Sequence, residues 1–218
     1  MNKTQSAVVR RWVARLVPVA VAVAVLGMAA GAFAQGINHV EEDWELVLGQ
    51  PDDNVCGPQV ATTMSPFNDI RDTYFTFEIN HRSAPYWTAG GLTIHQWAAD
   101  WRIQSFDRVD RSVMNTDNEV VTWTQVLDAN WGQLTFQIKD GQSSTWGPFG
   151  YSGMFKRHTN WGVNNINSYT PDVSISQSGP AFAGNRVKSL KIKEIRLTLD
   201  DGFTLTDPTE RVAYQLVE

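Results

Sequence analysis

The sequence has little cysteine, few histidines and no recognisable catalytic motif. Its 218 residues contain one cysteine, Cys56, so an intrachain disulfide is excluded and the fold must rest on a hydrophobic core. The four histidines (39, 81, 95 and 158) are scattered. Without a cysteine pair or an HExxH run they carry no zinc signature. No GxSxG elbow is present. Cys56 lies in the loop-like Asn54-Val55-Cys56-Gly57-Pro58, which has no local feature of a cysteine hydrolase. The chain also lacks long amphipathic helical patterns, an internal repeat and any linker that would divide it. At 42% hydrophobic and 19% charged residues, it is too apolar and too aromatic for a disordered chain.

Composition changes at residue 34. Residues 1–15 carry Lys3, Arg10, Arg11 and Arg15 and no acid, residues 16–34 carry no charge, and the stretch ends in Ala32-Phe33-Ala34. This order of basic, apolar and small-residue regions predicts an export signal over 1–34, cleaved after Ala34. A retained membrane anchor is the rival reading, and Arg10-Arg11 raises a twin-arginine route. The expected compartment is therefore secreted or periplasmic. The prefix holds 4 of the 18 basic residues and none of the 23 acids, which leaves 14 against 23 in residues 35–218, a net charge of −9. Such a surface has no phosphate-neutralising stripe, so neither nucleic acid nor, after signal removal, a membrane is an expected partner. The densest basic run, Lys188, Lys191, Lys193 and Arg196, reads as a solvated strand face.

Period two dominates residues 35–218. A polar, acidic start over 35–43 precedes a first strand at 44–49, and a short strand is expected near Gln59–Met64. In 73–81, Phe75, Phe77 and Ile79 share one face, with Tyr74, Thr76, Glu78 and Asn80 on the other. One strand is expected over 92–104, with Trp97 and Trp101 on one face, and another over 120–127. A turn at 128–132 leads to 133–139, where Leu134, Phe136 and Ile138 point inward. Asp140-Gly141 is a tight-turn signal. Residues 142–170 read as short strands and long loops. Residues 186–199 carry two apolar phases, which a bulge near Lys193-Glu194 would reconcile. Shorter strands at 203–206 and 210–217 close the chain, the latter with Val212, Tyr214 and Leu216 on one face. Half-polar alternation suits antiparallel sheets with one face on a core. The predicted fold is an all-β, antiparallel β-sandwich of jelly-roll or lectin-like type, a single domain over 35–218.

Function is read from the aromatics. Residues 35–218 hold Trp44, Trp87, Trp97, Trp101, Trp123, Trp131, Trp146 and Trp161. Trp97, Trp101 and Trp123 are assigned to the core, whereas Trp87, Trp131, Trp146 and Trp161 fall in loops or polar surroundings. An exposed indole loses hydration on stacking against an apolar ligand face and has few rotors to freeze. A sugar ring offers such a face, and flanking Asn, Gln and Asp would bond its hydroxyls. The leading expectation is a non-catalytic carbohydrate-binding protein whose partner is an extracellular glycan, bound by Trp87, Tyr86, Trp146, Tyr151 and Trp161. The first alternative is a structural or assembly protein of the cell envelope or extracellular matrix that self-associates through strand edges. The second is a small polysaccharide-active hydrolase or lyase, with Glu78 paired to Glu119 or Asp128 across a concave sheet. No catalytic residue and no cofactor is assigned. A structural calcium ion stays open, because Asp69, Asp72, Asp117, Glu119, Asp200, Asp201 and Asp207 sit in or near turns, but none matches the twelve-residue calcium loop.

Overall fold

A computed structural model of the chain describes residues 35–50, 59–79, 90–98, 101–111, 114, 116–151, 153, 155–181 and 186–217. The expected export signal, Cys56, Tyr86 and Trp87 lie outside the described residues, as do the side chains of Trp101 and most of its strand. Two antiparallel sheets make up the fold. The larger runs β12 (Thr204–Asp207), β11 (Val187–Leu199), β1 (Ile37–Leu48), β6 (Val120–Asn130), β7 (Gln133–Ser143) and β8 (Gly147–Phe149). In it β13 (Arg211–Gln215) also pairs with β11, and β9 (Phe155–Asn160) also pairs with β7. The smaller sheet runs β10 (Gly179–Pro180), β2 (Val60–Met64), β3 (Thr73–Ile79), β4 (Gly90–Ala98) and β5 (Trp101–Arg111).

The predicted alternation places the core between the sheets. Phe75 and Phe77 of β3 face Phe136 of β7 and Trp123 of β6, with ring centroids 5.0 and 5.6 Å apart. Across the pair β1–β6, Trp44 lies opposite Trp123 and stacks on it at 6.2 Å. Aromatic pairs of this kind add about 0.5–1.5 kcal/mol beyond the area they bury. The two sheets are thus halves of one core, and the chain is an all-β sandwich.

The bulge expected near Lys193-Glu194 is present. Asp43 pairs with Glu194 and Trp44 with Ile192, so Lys193 is the extra residue that re-phases β11. The strand near Gln59–Met64 is also found, as β2.

Five local expectations are corrected. β1 begins at Ile37, not at 44, because Val40 and Glu42 continue the inward face of Trp44, Leu46 and Leu48; a buried glutamate hid that phase. Residues 92–104 form parts of two paired strands, β4 and β5, in which Ala98 meets Trp101, so Trp97 and Trp101 do not share one strand. The turn after β6 is Trp131-Gly132 alone, closed by the pair Asn130–Gln133. Asp140-Gly141 is a bulge inside β7, not a turn: Thr122 pairs with Gln142 and Thr124 with Lys139, leaving an extra residue. Finally, a register shift puts Leu190 opposite Tyr214 but Lys191 opposite Val212, so Val212 turns out to solvent.

The outer face of the larger sheet carries a charge ladder. Arg196 bonds Asp43 at 2.6 Å, Glu194 at 2.6 Å and Glu41 at 2.8 Å. Lys191 reaches Glu45 at 3.2 Å, Lys193 pairs with Glu210, and Lys188 donates to Asn118 at 2.7 Å. Each member of the basic run therefore has a local partner, as a solvated strand face would.

Candidate functional site

Residues 161–178 cross from β9 of one sheet to β10 of the other, and their anchoring shapes one end of the sandwich. Ile166 is fully buried and its N–H donates to Ile37 O at 2.7 Å, while Asn167 Oδ1 accepts from Ile37 N at 2.5 Å. The single described helix, α1 (Pro171–Ser176), follows. Thr170 caps it by accepting from the Asp172 N–H at 3.3 Å, and proline opens its first turn. Tyr169 and Ser174 then reach between the sheets to Glu42, a wholly buried carboxyl on the inner face of β1.

Four donors surround that carboxyl: Tyr169 Oη at 2.7 Å and Ser174 Oγ on one oxygen, Trp44 Nε1 at 2.9 Å and Gln125 Nε2 at 3.4 Å on the other. Gln125 in turn accepts from Thr62 of the opposite sheet. Burial pushes the Glu42 pKa up, against the pull of the donors, and burial beside Glu42 raises that of Tyr169. Glu42 holds the 161–178 segment in place and is enclosed by protein on all four contacts.

The anchored segment forms a polar depression of about 340 Å³ with the start of β1, the end of β6 and the β11–β12 turn. Its lining includes Asn38, Asn130, Asn164, Asn165, Asn167 and Asp200. Among the described residues the side-chain amides of Asn38, Asn130 and Asn164 have no hydrogen-bond partner, and Asn165 and Asn167 engage only their carbonyl oxygens. Asp200 Oδ2 accepts from Gly36 N at 3.2 Å. Unspent donors and acceptors are thus gathered in one concavity.

Two tryptophans are close to this lining in the chain, Trp131 next to Asn130 and Trp161 three residues before Asn164, though neither is part of it. The β6–β7 hairpin turns on Trp131 and Gly132 at φ 53° and 77°, the two positive values of a type I′ turn. Such turns favour Asn-Gly, because a large side chain in the left-handed region is strained. Among the described residues the other non-glycine positions with positive φ are Asn118 and Asp140, both of tolerant types. Trp131 is 94% exposed, so packing does not explain its presence there. Trp161, 40% exposed, occupies a matching place: Asn160-Trp161-Gly162 repeats Asn130-Trp131-Gly132, and the Gly162 N–H donates to Gly132 O at 2.9 Å. A Cβ on Gly132 would lie 3.8 Å from Asn164 Oδ1, which ties the hairpin to the depression.

The three described members of the expected aromatic site do not converge. Trp161 stands at the start of β7 beside the hairpin. Trp146 follows the far end of β7, about 30 Å away by strand rise, half-buried with its ring edge-on to Phe149 at 6.4 Å. Tyr151 is exposed on the link between β8 and β9, at the sheet's edge. The depression is lined instead by five asparagines that were not assigned to the site, and Trp131 follows one of them, Asn130, in the chain without itself belonging to the lining. The repeated Asn-Trp-Gly tripeptide was the available signal.

The proposed carboxylate pairs of a glycosidase are not formed. Glu78 lies on the outer face of the smaller sheet and Asp128 on the outer face of the larger one, so no cleft can hold both. Glu119 is buried and serves the β7–β8 connection, where Thr145 N and Oγ1 donate to it at 3.0 and 2.6 Å. Glu78 instead meets His95 at 3.2 Å. Among the described residues no three His, Cys, Asp or Glu side chains gather as a metal site, and no helix is long and apolar enough to cross a membrane. Comparison with protein-family models, with curated proteins and with solved structures finds no match.

Proposed function

We propose that this chain is an exported, non-catalytic carbohydrate-binding protein, whose extracellular glycan binds at the asparagine-lined depression and stacks on Trp131 and Trp161. The observation that carries the reading is Trp131. A bulky ring held in a strained turn, almost wholly in water, costs stability and loses hydration only when something covers it. The neighbouring amides supply the hydrogen bonds that a sugar's hydroxyls require.

A glycan array probed with the full chain, followed by titration calorimetry on the hits, tests this. Trp131→Ala is expected to weaken binding by roughly 1–3 kcal/mol, the range for an aromatic hot spot, and Trp161→Ala by less. Unchanged affinity in both variants, with the melting temperature preserved, would remove the site.

A second reading, assembly into a larger structure, draws on the β12–β13 edge of the larger sheet. Phe203, Leu205 and Val212 are exposed there at 58%, 48% and 53%. An apolar edge of this kind suits pairing with a second copy of the chain. Sedimentation that shifts with concentration and is indifferent to Trp131→Ala would favour it.

A further inference from the structure

Resting on the glycan reading above, we infer that the depression selects neutral sugars and rejects uronates, sulfated and phosphorylated glycans. The inference comes from which charges and hydrogen-bonding atoms the lining presents. Asn38, Asn130 and Asn164 each show one acceptor and two donors, Asn165 and Asn167 show donors, and Asp200 adds an acceptor that is negatively charged. A hydroxyl both donates and accepts, so a ring carrying several can pair with such a mixed array in full. A carboxylate, sulfate or phosphate only accepts, so it would leave the amide oxygens facing its own oxygens.

Charge acts in the same direction. Among the described residues no lysine, arginine or histidine lines the depression, while Asp200 does and Asp201 follows it. Anion recognition draws on guanidinium or ammonium groups. On the outer face of this sheet, Arg196 is taken up by Asp43, Glu194 and Glu41, and Lys193 by Glu210. A site without a cation and with a carboxylate at its wall discriminates by repulsion as much as by fit. The floor is also closely shaped. A Cβ on Gly36 would sit 3.5 Å from Asn165 Cβ and 3.8 Å from Asp200 Oδ2, ordinary contacts for the fold but inside the space a ligand would use.

The test titrates the full chain, with chelator present, against two panels. One holds neutral β-glucan, mannan and chitin oligosaccharides; the other holds alginate, polygalacturonate and heparin oligosaccharides. Binding to a neutral member at least about tenfold tighter than to any anionic one is expected. Trp131→Ala and Gly36→Ala should each weaken the neutral binding. Asn164→Lys, at an exposed position, should add salt-sensitive binding of the anionic panel without lowering the melting temperature. Anionic binding as tight as neutral, and dependent on Trp131, would overturn the selectivity and leave the glycan site standing. Failure of every glycan to bind, or binding indifferent to Trp131→Ala, Gly36→Ala and Asn164→Lys alike, would overturn the glycan reading itself.

Discussion

At the scale of single residues, two positions break local rules, and they break them for different reasons. Glu42 puts a carboxyl in the core, and its four donors make the choice intelligible: an acceptor with two oxygens ties β1, β6 and the 161–178 segment together. Trp131 has no such compensation. Its φ of 53° suits asparagine or glycine, and its ring lies almost wholly in solvent. Trp131→Asn is therefore expected to stabilise the protein by about 1 kcal/mol, the strain of a bulky residue in the left-handed region, while weakening glycan binding as much as Trp131→Ala does. Thermal melts paired with calorimetric titration would show the two effects moving in opposite directions. A loss of stability on this change would mean that the indole has a structural role.

At the scale of elements, much of the fold was legible because period two survives where one face is apolar and the other polar. β3 and β7 are such strands, and so is the bulged β11, whose two apolar phases could be joined only by an extra residue. The start of β1 was not legible, since Glu42 stands where an apolar residue would have declared the inward face. Asp140-Gly141 misled because tight turns and bulges recruit the same residues: both need a residue tolerant of positive φ, here Asp140 at 54°. What makes the second residue glycine is remote in sequence. A Cβ on Gly141 would fall 2.3 Å from ring carbons of Phe149, which lies flat across it. Gly141→Ala should cost on the order of 3 kcal/mol through overpacking, and Phe149→Leu in the same chain should recover part of the loss. Denaturant midpoints of the single and double variants measure this. Additive losses would mean that the ring is not the obstacle.

At the scale of the whole molecule, stability should peak at weakly acidic pH, because the two faces of β1 titrate in opposite senses. Outside, the hydrogen bond from His39, with Lys139 and Arg196, holds the Glu41 pKa far below its ordinary 4.5, and the Thr209 and Arg211 contacts lower that of Asp207 to about 2. Groups depressed on folding stabilise the protein above their unfolded pKa, and that stability is lost as pH falls below about 4 and protons are driven on. Inside, Glu42 is raised above 4.5. Between its unfolded and folded values the native state holds the extra proton, so stability declines as pH rises through that window. Glu42→Gln should flatten the upper limb: its carbonyl can face Trp44 and Gln125, and its amide can donate to the rotatable hydroxyls of Tyr169 and Ser174. Chemical denaturation across pH would check both limbs, and an unchanged upper limb in the variant would place the titrating group elsewhere.

The amino-acid order alone determined that this chain builds antiparallel strands around a shared core, because alternation is a local property that each strand carries in its own residues. It also showed an excess of indoles away from the core. Which of those indoles share a surface was decided by the tertiary structure. Trp146 and Trp161 are fifteen residues apart in the chain yet flank opposite ends of β7, whereas Trp131 and Trp161, thirty residues apart, are joined through the hydrogen bond between their glycines. The asparagines of the depression come from β1, β6 and the 161–178 segment. Strand pairing and the buried tether at Glu42 bring them together, and both are long-range contacts that no local pattern encodes.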